Sequence, residues 1–563
     1  MKSFYRLIGV LVVVSLLRAG NACAQPGGIT YSQVNKKVTE YEKAEWDIQL
    51  SVPFKNPYDQ QEVSVDMVLA SPSGKPLVLP CYFDRGDSKS SAWKARFAAQ
   101  ETGVYSYYFN LNTKGKTTES IKGKFTVQPS AKRGFLHKNN LWTFKFDNGE
   151  LFRGIGENVG WESRSFENDK YTYDRLLPEL AKNGANFFRT WMCYWNLPLE
   201  WQKVRSTKRY SNTDQYFNPG AIKRMDELVN MTDSLGLYFM LTLDWHGHLM
   251  EDGGWKNSPY NQLNGGPAKT PTDFFSFTSA KQKYKNKLRY VIARWGYSTN
   301  IAAIEFFNEV DNAAFTKEDS ILIPHHFITQ WHDDMSRYLK DIDPYKHLVT
   351  TSVSHRDIAG MNQIAYLDFN QKHIYKRTEK IPAIYPEYIE NYRKPYVVGE
   401  FGYRWEDANP KYAKEANFDF KRGLWYGMFS PTPVLPMSWW WEFFNDQKME
   451  PYFKGVRQIS DMMLKAGNGK FVQFAVNAGR LHTQAVQCGN KYFIYLLNTT
   501  GEDLDTDVSF AYAGAGAAMV KAFYPSALKT TQFTQLKAIN KRLNIKGVKL
   551  NAGQEVVLIL LVK

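Results

Sequence analysis

Cysteine is scarce in this chain, which has four cysteines among 563 residues. Apart from Cys23 near the N-terminus they are Cys81, Cys193 and Cys488, which lie far apart in the sequence. These three can form at most one disulfide bond, so their spacing excludes a disulfide framework and a cysteine-rich metal site. We expect each of them to be a small, buried apolar side chain.

The chain also lacks an apolar run long enough to cross a bilayer. The run LIGVLVVVSLL near the N-terminus is too short, and it lies between two basic residues and the small-residue stretch NACAQ. This pattern predicts a signal peptide over residues 1–24 and a secreted or periplasmic mature protein. Cys23 leaves lipoprotein anchoring open as an alternative, which Gly20 disfavours because such signals prefer leucine there.

A block of one charge sign is absent as well. The formal net charge is +15, but the 71 Lys and Arg residues are scattered among 56 Asp and Glu residues. We interpret the excess as general surface charge, with an anionic polysaccharide as the alternative partner. Since no nucleic-acid-binding motif occurs, nucleic acid is not a predicted partner.

What the sequence has instead is length and aromatic residues, which make up 15% of the chain. The length predicts two or three domains, and exposed rings commonly meet the flat faces of sugars. Residues 30–130 contain short alternating runs such as WDIQLSVPF and EVSVDMVLA between turn signals, which predict a β-sandwich. Similar alternation over residues 470–563 predicts a small all-β C-terminal domain.

Residues 135–468 alternate apolar, strand-like runs with amphipathic helical segments, a pattern typical of parallel strands joined by crossover helices. Eight such runs predict a (β/α)8 barrel, also called a TIM barrel. The runs are LFRGI, ANFFRTW, LYFMLTLDWH, IAAIEFFNE, HLVTTSV, LDFNQKHIY, PYVVGE and VLPMSWWW.

Two helices of the predicted outer ring have clear signals. One begins after Asn218, a suitable cap, and ends at Gly236. The other is TSAKQKYKNKLRYVIARWG, whose apolar residues recur at helical spacing along one face. That predicted inner face consists of Tyr284, Leu288, Val291, Ile292 and Trp295.

Polar residues follow the ends of many of these strands, where a barrel places its active site. Glu309 ends the fourth strand and Glu400 ends the seventh. Two carboxylates that face each other can cleave a glycosidic bond when one is protonated and the other ionised, so we predict a catalytic pair. The other strand-end candidates are Arg189, Asp244, His246, Asn308, His373, Tyr375, Trp439, Trp440 and Trp441.

The motifs NEV, with Asn308 and Glu309, and GEFG, with Glu400, resemble those of clan A of the glycoside hydrolases, most closely family 5. The resemblance covers the barrel and implies a retaining mechanism that needs no cofactor. It also implies a secreted bacterial enzyme of polysaccharide degradation. The N-terminal sandwich resembles an immunoglobulin-like domain of unknown function that often precedes such barrels.

The resemblance further implies roles for individual residues. Glu309 would be the acid/base, Glu400 the nucleophile, and Asn308 a donor to the sugar 2-hydroxyl. Arg189 would hold Glu400 in its ionised form by a charge-assisted hydrogen bond. The remaining predicted substrate-binding residues are His246, His373 and Tyr375, with Trp439 or Trp441 as the floor of the sugar subsite.

Other carboxylates compete for these roles. Glu305 lies deeper in the fourth strand than Glu309, so we expect it to be structural and to need a buried partner. His246, His248 and Asp244 have a spacing that could hold a metal ion, but no further cluster supports one and no metal is predicted. The alternative substrate contacts or supports are Asp244, Asp311, Glu406, Glu442 and Glu157.

The loops after the second and third strands are long and rich in Trp and Tyr, and long loops at a barrel mouth often carry function. Their rings could stack on sugars or pack the loops against the barrel. The favoured hypothesis is a retaining β-glycoside hydrolase acting on a polysaccharide or oligosaccharide. A transglycosidase of the same mechanism and a glycan-binding protein on an inactive barrel remain alternatives, and the sugar and the choice between end-trimming and internal cleavage stay open.

Overall fold

The computed structural model describes residues 28–162, 169–205, 207–251, 253–315, 320–512 and 518–562. The predicted signal peptide and Cys23 lie outside the described residues. Within them, no helix is both long and apolar enough to span a membrane. Cys81, Cys193 and Cys488 are all buried and none is in a disulfide in the described structure, which confirms the expectation for these three.

The N-terminal region folds as a two-sheet sandwich. Trp46, Ile48 and Leu50 alternate with more exposed residues along one strand and point into its core. One sheet contains the strands Ile29–Gln33, Lys43–Leu50, Ser91–Ala98 and Tyr82–Gly86 in that order. The other contains Val38–Thr39, Gly123–Gln128, Gly103–Thr113, Val63–Ala70 and Pro76–Pro80, with Lys116–Glu119 paired to Gly103–Thr113.

A small antiparallel sheet follows the sandwich and closes the base of the barrel. Its strands are Leu136–Lys138, Phe144–Phe146 and Leu151–Phe152. The prediction of LFRGI as the first barrel strand was therefore wrong in position, because Phe152 packs on Phe146 and Tyr238 in this basal layer. The barrel strand itself begins with the parallel bridge from Gly154 to Val434.

The barrel consists of parallel strands in the predicted order. The chain closes it near Val434 and Ser438, which bridge to the first strand through Gly154 and Glu157, while Ser438 also bridges to Phe401 of the seventh. This closure confirms the predicted barrel. The other seven strands are Gly156–Asn158, Phe187–Trp191, Tyr238–Trp245, Ile301–Asn308, Leu348–Thr350 continued by Ser352–Val353, Asn370–Tyr375 and Tyr396–Gly402.

Helices cover the barrel as the sequence patterns predict. The Asn218 side chain accepts from the N–H groups of Gly220 and Ala221, and Gly236 ends that helix with a left-handed backbone. The five residues of the predicted inner face of the next long helix are all buried. The α-helices are Tyr173–Lys182, Pro219–Leu235, Pro271–Ser276, Thr278–Trp295, Asp311–Ala314, His325–Ile342, Ile381–Tyr392, Ala413–Met428, Trp441–Asp446 and Phe453–Gly467.

The C-terminal region forms a second pair of β-sheets. One contains the strands Phe471–Gln473, His482–Cys488, Lys491–Leu497, Glu555–Val562, Ala518–Tyr524 and Lys529–Leu536 in that order. The other contains Val476–Asn477, Leu504–Ala511 and Arg542–Leu550.

Both flanking regions pack against the helices of the barrel. On the N-terminal side, Arg96 pairs with Asp226 at 3.1 Å and Arg289 pairs with Asp66 at 2.7 Å. On the C-terminal side, the Tyr495 ring stacks on Trp425 with 5.6 Å between centroids. These contacts brace the outer ring of the barrel.

Candidate active site

The buried guanidinium of Arg189 organises the mouth of the barrel. Its Nε and Nη2 donate to the two oxygens of Glu305 at 2.6 and 2.8 Å, and its Nη1 donates to Glu400 Oε1 at 2.7 Å. It also donates to the side-chain oxygens of Asn308 at 2.8 Å and Asn158 at 3.1 Å. One planar cation thus fixes four side chains from three other strands, since Glu305 and Asn308 share the fourth strand.

Glu305 is the structural carboxylate that the sequence indicated. It is fully buried, and besides Arg189 it accepts a 2.8 Å hydrogen bond from the Thr242 hydroxyl. Although burial opposes ionisation, the charge and hydrogen bonds of Arg189 hold the pKa of Glu305 below its ordinary value. It therefore balances the Arg189 charge in the barrel core.

Glu400 lies next to Arg189 at the end of the seventh strand. The hydroxyl of Tyr375 donates to its Oε2 at 2.6 Å, opposite the Arg189 contact on Oε1. Burial raises the pKa of Glu400, while His373 and Arg189 act against that shift. Both oxygens are thus held by donors, which orients the carboxylate and favours its charged form.

Glu309 faces Glu400 from the end of the fourth strand. Its backbone has a left-handed φ of 51°, unusual for a residue with a side chain, and its N–H donates to Ser352 Oγ at 3.0 Å. Burial raises the pKa of Glu309 to about 7. The group can therefore hold a proton near neutral pH, as a general acid must.

His373 lies between the two carboxylates. Its Nδ1 is 2.8 Å from Glu309 Oε1 and 3.4 Å from Glu400 Oε2. Burial lowers the pKa of His373 to about 4, so the imidazole is neutral at ordinary pH. The three groups offer donor atoms that all lie within 4.8 Å of one another, so oxygens of Glu309 and Glu400 are this close.

His246 and Asn308 complete the side of the site next to Glu309. His246 Nδ1 is 3.8 Å from Glu309 Oε2 and 3.3 Å from Asn308 Nδ2. Because Asn308 Oδ1 accepts from Arg189, its Nδ2 is turned away from the guanidinium. The predicted catalytic pair and the predicted polar substrate-binding residues therefore meet in one place, whereas Asp244 does not join them, and their individual roles remain predictions.

The predicted tryptophans lie at the end of the eighth strand, though not by simple strand alternation. Trp440 has a left-handed φ of 64° and turns the chain into the helix that begins at Trp441. The rings of Trp439 and Trp441 meet edge to face at 5.0 Å, and both also contact Trp161. Both are buried, and which of them contacts sugar stays a prediction.

Sequence reasoning missed Asn312, which holds the acid/base candidate. Its Nδ2 donates to Glu309 Oε2 at 2.9 Å, while its Oδ1 accepts from Arg356 Nη2 at 2.9 Å. Since Arg356 can only donate, this contact fixes the orientation of the amide. The sequence does contain a signal for this contact. Asn312 follows Glu309 by three residues, in the helical turn Asp311–Ala314.

Asn158 and Trp161 were missed because the first barrel strand begins later than predicted. Asn158 ends that strand and accepts from Arg189, and Trp161 packs on Trp439 and Trp441.

The competing carboxylates have structural partners instead. Asp244 Oδ2 accepts from Lys287 Nζ at 2.9 Å and from the Tyr284 hydroxyl at 2.8 Å. Asp311 accepts from the N–H of Ser354 at 2.7 Å and so supports the loop after the fifth strand. Glu157 contacts Ser438 away from the carboxylate pair, and Glu406 pairs with Lys376. Glu442 lies in the first turn of the helix Trp441–Asp446.

The three residues considered as metal ligands, Asp244, His246 and His248, do not meet at one point in the described part of the chain. His246 Nδ1 faces Asn308 and Glu309, whereas His248 is buried with its Nδ1 3.4 Å from Asp244 Oδ1. The close donors are instead those of Glu309, His373 and Glu400, and Arg189 already offsets part of their charge. That the site needs no metal remains a prediction.

Comparison with known proteins finds families that resemble two parts of the chain. The cellulase family, glycosyl hydrolase family 5, matches residues 153–422, and a domain of unknown function, DUF5060, matches residues 37–112. The mannan endo-1,4-beta-mannosidase A of Aspergillus aculeatus is 28% identical over 200 residues, 35% of this chain. That match spans 48% of the mannosidase, about half its length.

Solved structures show the same fold. A candidate glycoside hydrolase from Bacteroides vulgatus has a TM-score of 0.66 at 14% identity, covering 94% of this chain and 100% of its own. A second structure, described as a glycoside hydrolase, has a TM-score of 0.52 at 14% identity over 77% of this chain and 97% of its own. At these identities the likeness concerns the fold alone. Taken with the family matches, the barrel is similar to those of glycosyl hydrolase family 5, and the sandwich ahead of it is similar to DUF5060.

Proposed function

We propose that the protein is a retaining β-glycoside hydrolase in which Glu309 is the acid/base and Glu400 the nucleophile. The observation that carries the proposal is the pair of carboxylates with oxygens within 4.8 Å of each other and with different partners. Retaining enzymes place their two carboxyl groups about 5 to 5.5 Å apart, whereas inverting enzymes leave room for a water molecule.

The first step transfers the sugar to the enzyme. A Glu400 oxygen attacks the anomeric carbon as the bond to the leaving oxygen breaks, and Glu309 gives its proton to that oxygen. The donors on Glu400, Tyr375 and Arg189, hold it ionised before attack. Glu309 suits the acid role because burial raises its pKa to about 7.

The second step releases the sugar. Glu309, now ionised, takes a proton from water, and the water oxygen attacks the anomeric carbon while the bond to Glu400 breaks. Two inversions at one carbon restore the original configuration. If another sugar took the place of water, the same groups would carry out transglycosylation, which would yield products longer than the substrate.

The test is a screen of the purified protein against aryl β-glycosides and polysaccharides, with Glu400→Ala as the blank. β-Mannan belongs in the panel because the similar Aspergillus protein is named as a mannosidase. We expect hydrolysis of one β-linked class, lost in Glu400→Ala, with a β-configured first product by nuclear magnetic resonance. Turnover that persists in Glu400→Ala, or an α-configured product, would contradict the proposal.

We also propose that the protein is exported after cleavage before Gln25. The basis is the N-terminal sequence pattern alone. Mass spectrometry of the mature protein from its native cell would show an N-terminus at Gln25, or a lipid-modified Cys23 if the alternative holds.

A further inference from the structure

Two adjacent cavities lie beside the carboxylate pair. His246, which is 3.8 Å from Glu309 Oε2, lines a cavity of about 260 Å³ between the loops after the second and third barrel strands. A second cavity of about 660 Å³ shares Tyr194, Trp201 and Asn257 with the first. The larger volume falls in the range of small-molecule sites.

The inner cavity has aromatic walls. The Tyr194 ring lies 5.4 Å from Trp201 and 6.0 Å from Trp245, measured between centroids. Tyr194 and Trp245 are half-buried, so part of each ring faces the cavity. Such rings offer apolar surface to the faces of sugars that continue from the reacting unit.

The outer cavity has a different, cationic lining. Lys203, Arg205 and Lys283 line it. Lys203 and Arg205 are exposed, and in the described structure neither has a carboxylate within 4 Å. Lys283 Nζ donates to the carbonyl of Pro259 at 2.5 Å and lies 4.9 Å from the Tyr260 ring centroid.

Glu200 also lines this cavity, but its carboxylate is bound by groups of the protein and shares Lys287 with Asp244. Its Oε2 is 2.9 Å from Lys287 Nζ, and its Oε1 accepts from the Tyr260 hydroxyl at 2.8 Å. Lys94 and Lys281, in contrast, are paired with carboxylates at 2.8 Å elsewhere in the protein. The outer cavity therefore keeps a positive charge that the protein does not neutralise.

We infer that the outer cavity is a subsite for an acidic sugar unit, bearing a carboxylate or a sulfate, of the polysaccharide that the Glu309–Glu400 pair cleaves. The inference rests on the proposed function for the bond that is cut. The aromatic inner cavity would hold the intervening sugar, and Lys203 and Arg205 would bind the anionic group by charge-assisted hydrogen bonds. Part of the chain's excess positive charge would thus serve to bind substrate.

The test compares three oligosaccharides with the same backbone: neutral, uronic-acid-bearing and sulfated. The variant is K203S/R205S, and the control is K182S/K223S, which removes two lysines that are 72% and 82% exposed on other helices. We expect KM for one anionic oligosaccharide to rise about tenfold or more in K203S/R205S and to stay unchanged in the control. The neutral oligosaccharide and a small aryl glycoside should react equally with all three proteins.

Preference for the uronic or for the sulfated oligosaccharide would each support the subsite and identify the anionic group. Equal KM values for neutral and anionic oligosaccharides in the unmodified protein would overturn it, as would equal losses on both in K203S/R205S. Calorimetric titration of the Glu400→Ala protein tests the anionic subsite separately from the proposed hydrolysis. Anionic oligosaccharide binding that K203S/R205S weakens would support the subsite even if no substrate were hydrolysed.

Discussion

Two cations are buried between pairs of carboxylates in this barrel, and the difference between them separates a catalytic arrangement from a structural one. Arg189, on a strand, binds Glu305 and Glu400. Lys287, on the helix Thr278–Trp295, binds Asp244 and Glu200 at 2.9 Å each. Both arrangements satisfy the requirement that a buried charge be paired.

The difference lies in what the carboxylates meet beyond the cation. Asp244 and Glu200 accept further bonds from the hydroxyls of Tyr284 and Tyr260, which are also buried. Glu400 instead lies within 4.8 Å of a third carboxylate, Glu309, whose side chain is 13% exposed. A buried ion pair is thus not by itself a sign of catalysis. A second, differently protonated carboxylate at the same opening is the distinguishing feature.

The largest expected effect comes from removing that second carboxylate. Glu309→Ala should reduce kcat/KM by about 10²- to 10⁴-fold on substrates with poor leaving groups, because these need a proton donor. Activated aryl glycosides should lose far less in their first step. Kinetics with aryl glycosides of graded leaving-group pKa would measure this, and Glu200→Ala is the matched control from the other ion cluster. A uniform loss across the series would remove Glu309 from the acid role.

Removing each cation in turn would compare the two clusters directly. Arg189→Met and Lys287→Met should each lower the free energy of unfolding by about 3 to 5 kcal/mol, because each leaves buried carboxylates without a partner. Only Arg189→Met should also abolish turnover of a small aryl glycoside, because only it disturbs Glu400. Denaturant unfolding and low-temperature kinetics check both points. Full activity in folded Arg189→Met protein would contradict the claim that the Arg189 cluster, unlike the Lys287 cluster, is catalytic.

The pH profile of kcat/KM should report the ionisation of both carboxylates. Above the pKa of Glu309, about 7, the acid loses its proton, so kcat/KM should fall about tenfold per pH unit. On the acid side, activity should fall as Glu400 becomes protonated, and burial places this limb above the ordinary pKa of a glutamate. Rates with a neutral substrate across the stable pH range would measure both limbs. An alkaline limb that persists in Glu309→Ala would assign it to another group.

The smallest expected effect concerns Asn312. Its amide donates to Glu309 Oε2, which favours the charged form, so Asn312→Ala should raise the pKa of Glu309 and move the alkaline limb to higher pH. Asn312→Asp should move it further because a negative charge is added beside the carboxylate. A purely structural role would lower stability without moving the limb. Asn148→Ala serves as the control, because its exposed amide also donates to a glutamate, Glu150, but in the turn between two strands of the basal sheet.

Much of the fold was predictable because strand and helix periodicities are local. The apolar runs at 301–309 and 395–400 predict strands that end at Glu309 and Glu400. The first barrel strand was set too early, since LFRGI is apolar whether it packs in the basal sheet or in the barrel. That error hid Asn158, whose oxygen accepts from Arg189.

By itself, the sequence determined the barrel, the order of its strands and the strand-end positions of the catalytic candidates, because these follow from periodicity and from the rule that barrel sites lie at carboxyl ends. The tertiary structure alone decided that Arg189 binds both Glu305 and Glu400, that Asn312 reaches Glu309, and that the loops after the second and third strands enclose a cationic cavity. These contacts join residues from different strands and loops. Their distances depend on how the strands curve and where the loops fold back, which no local pattern encodes.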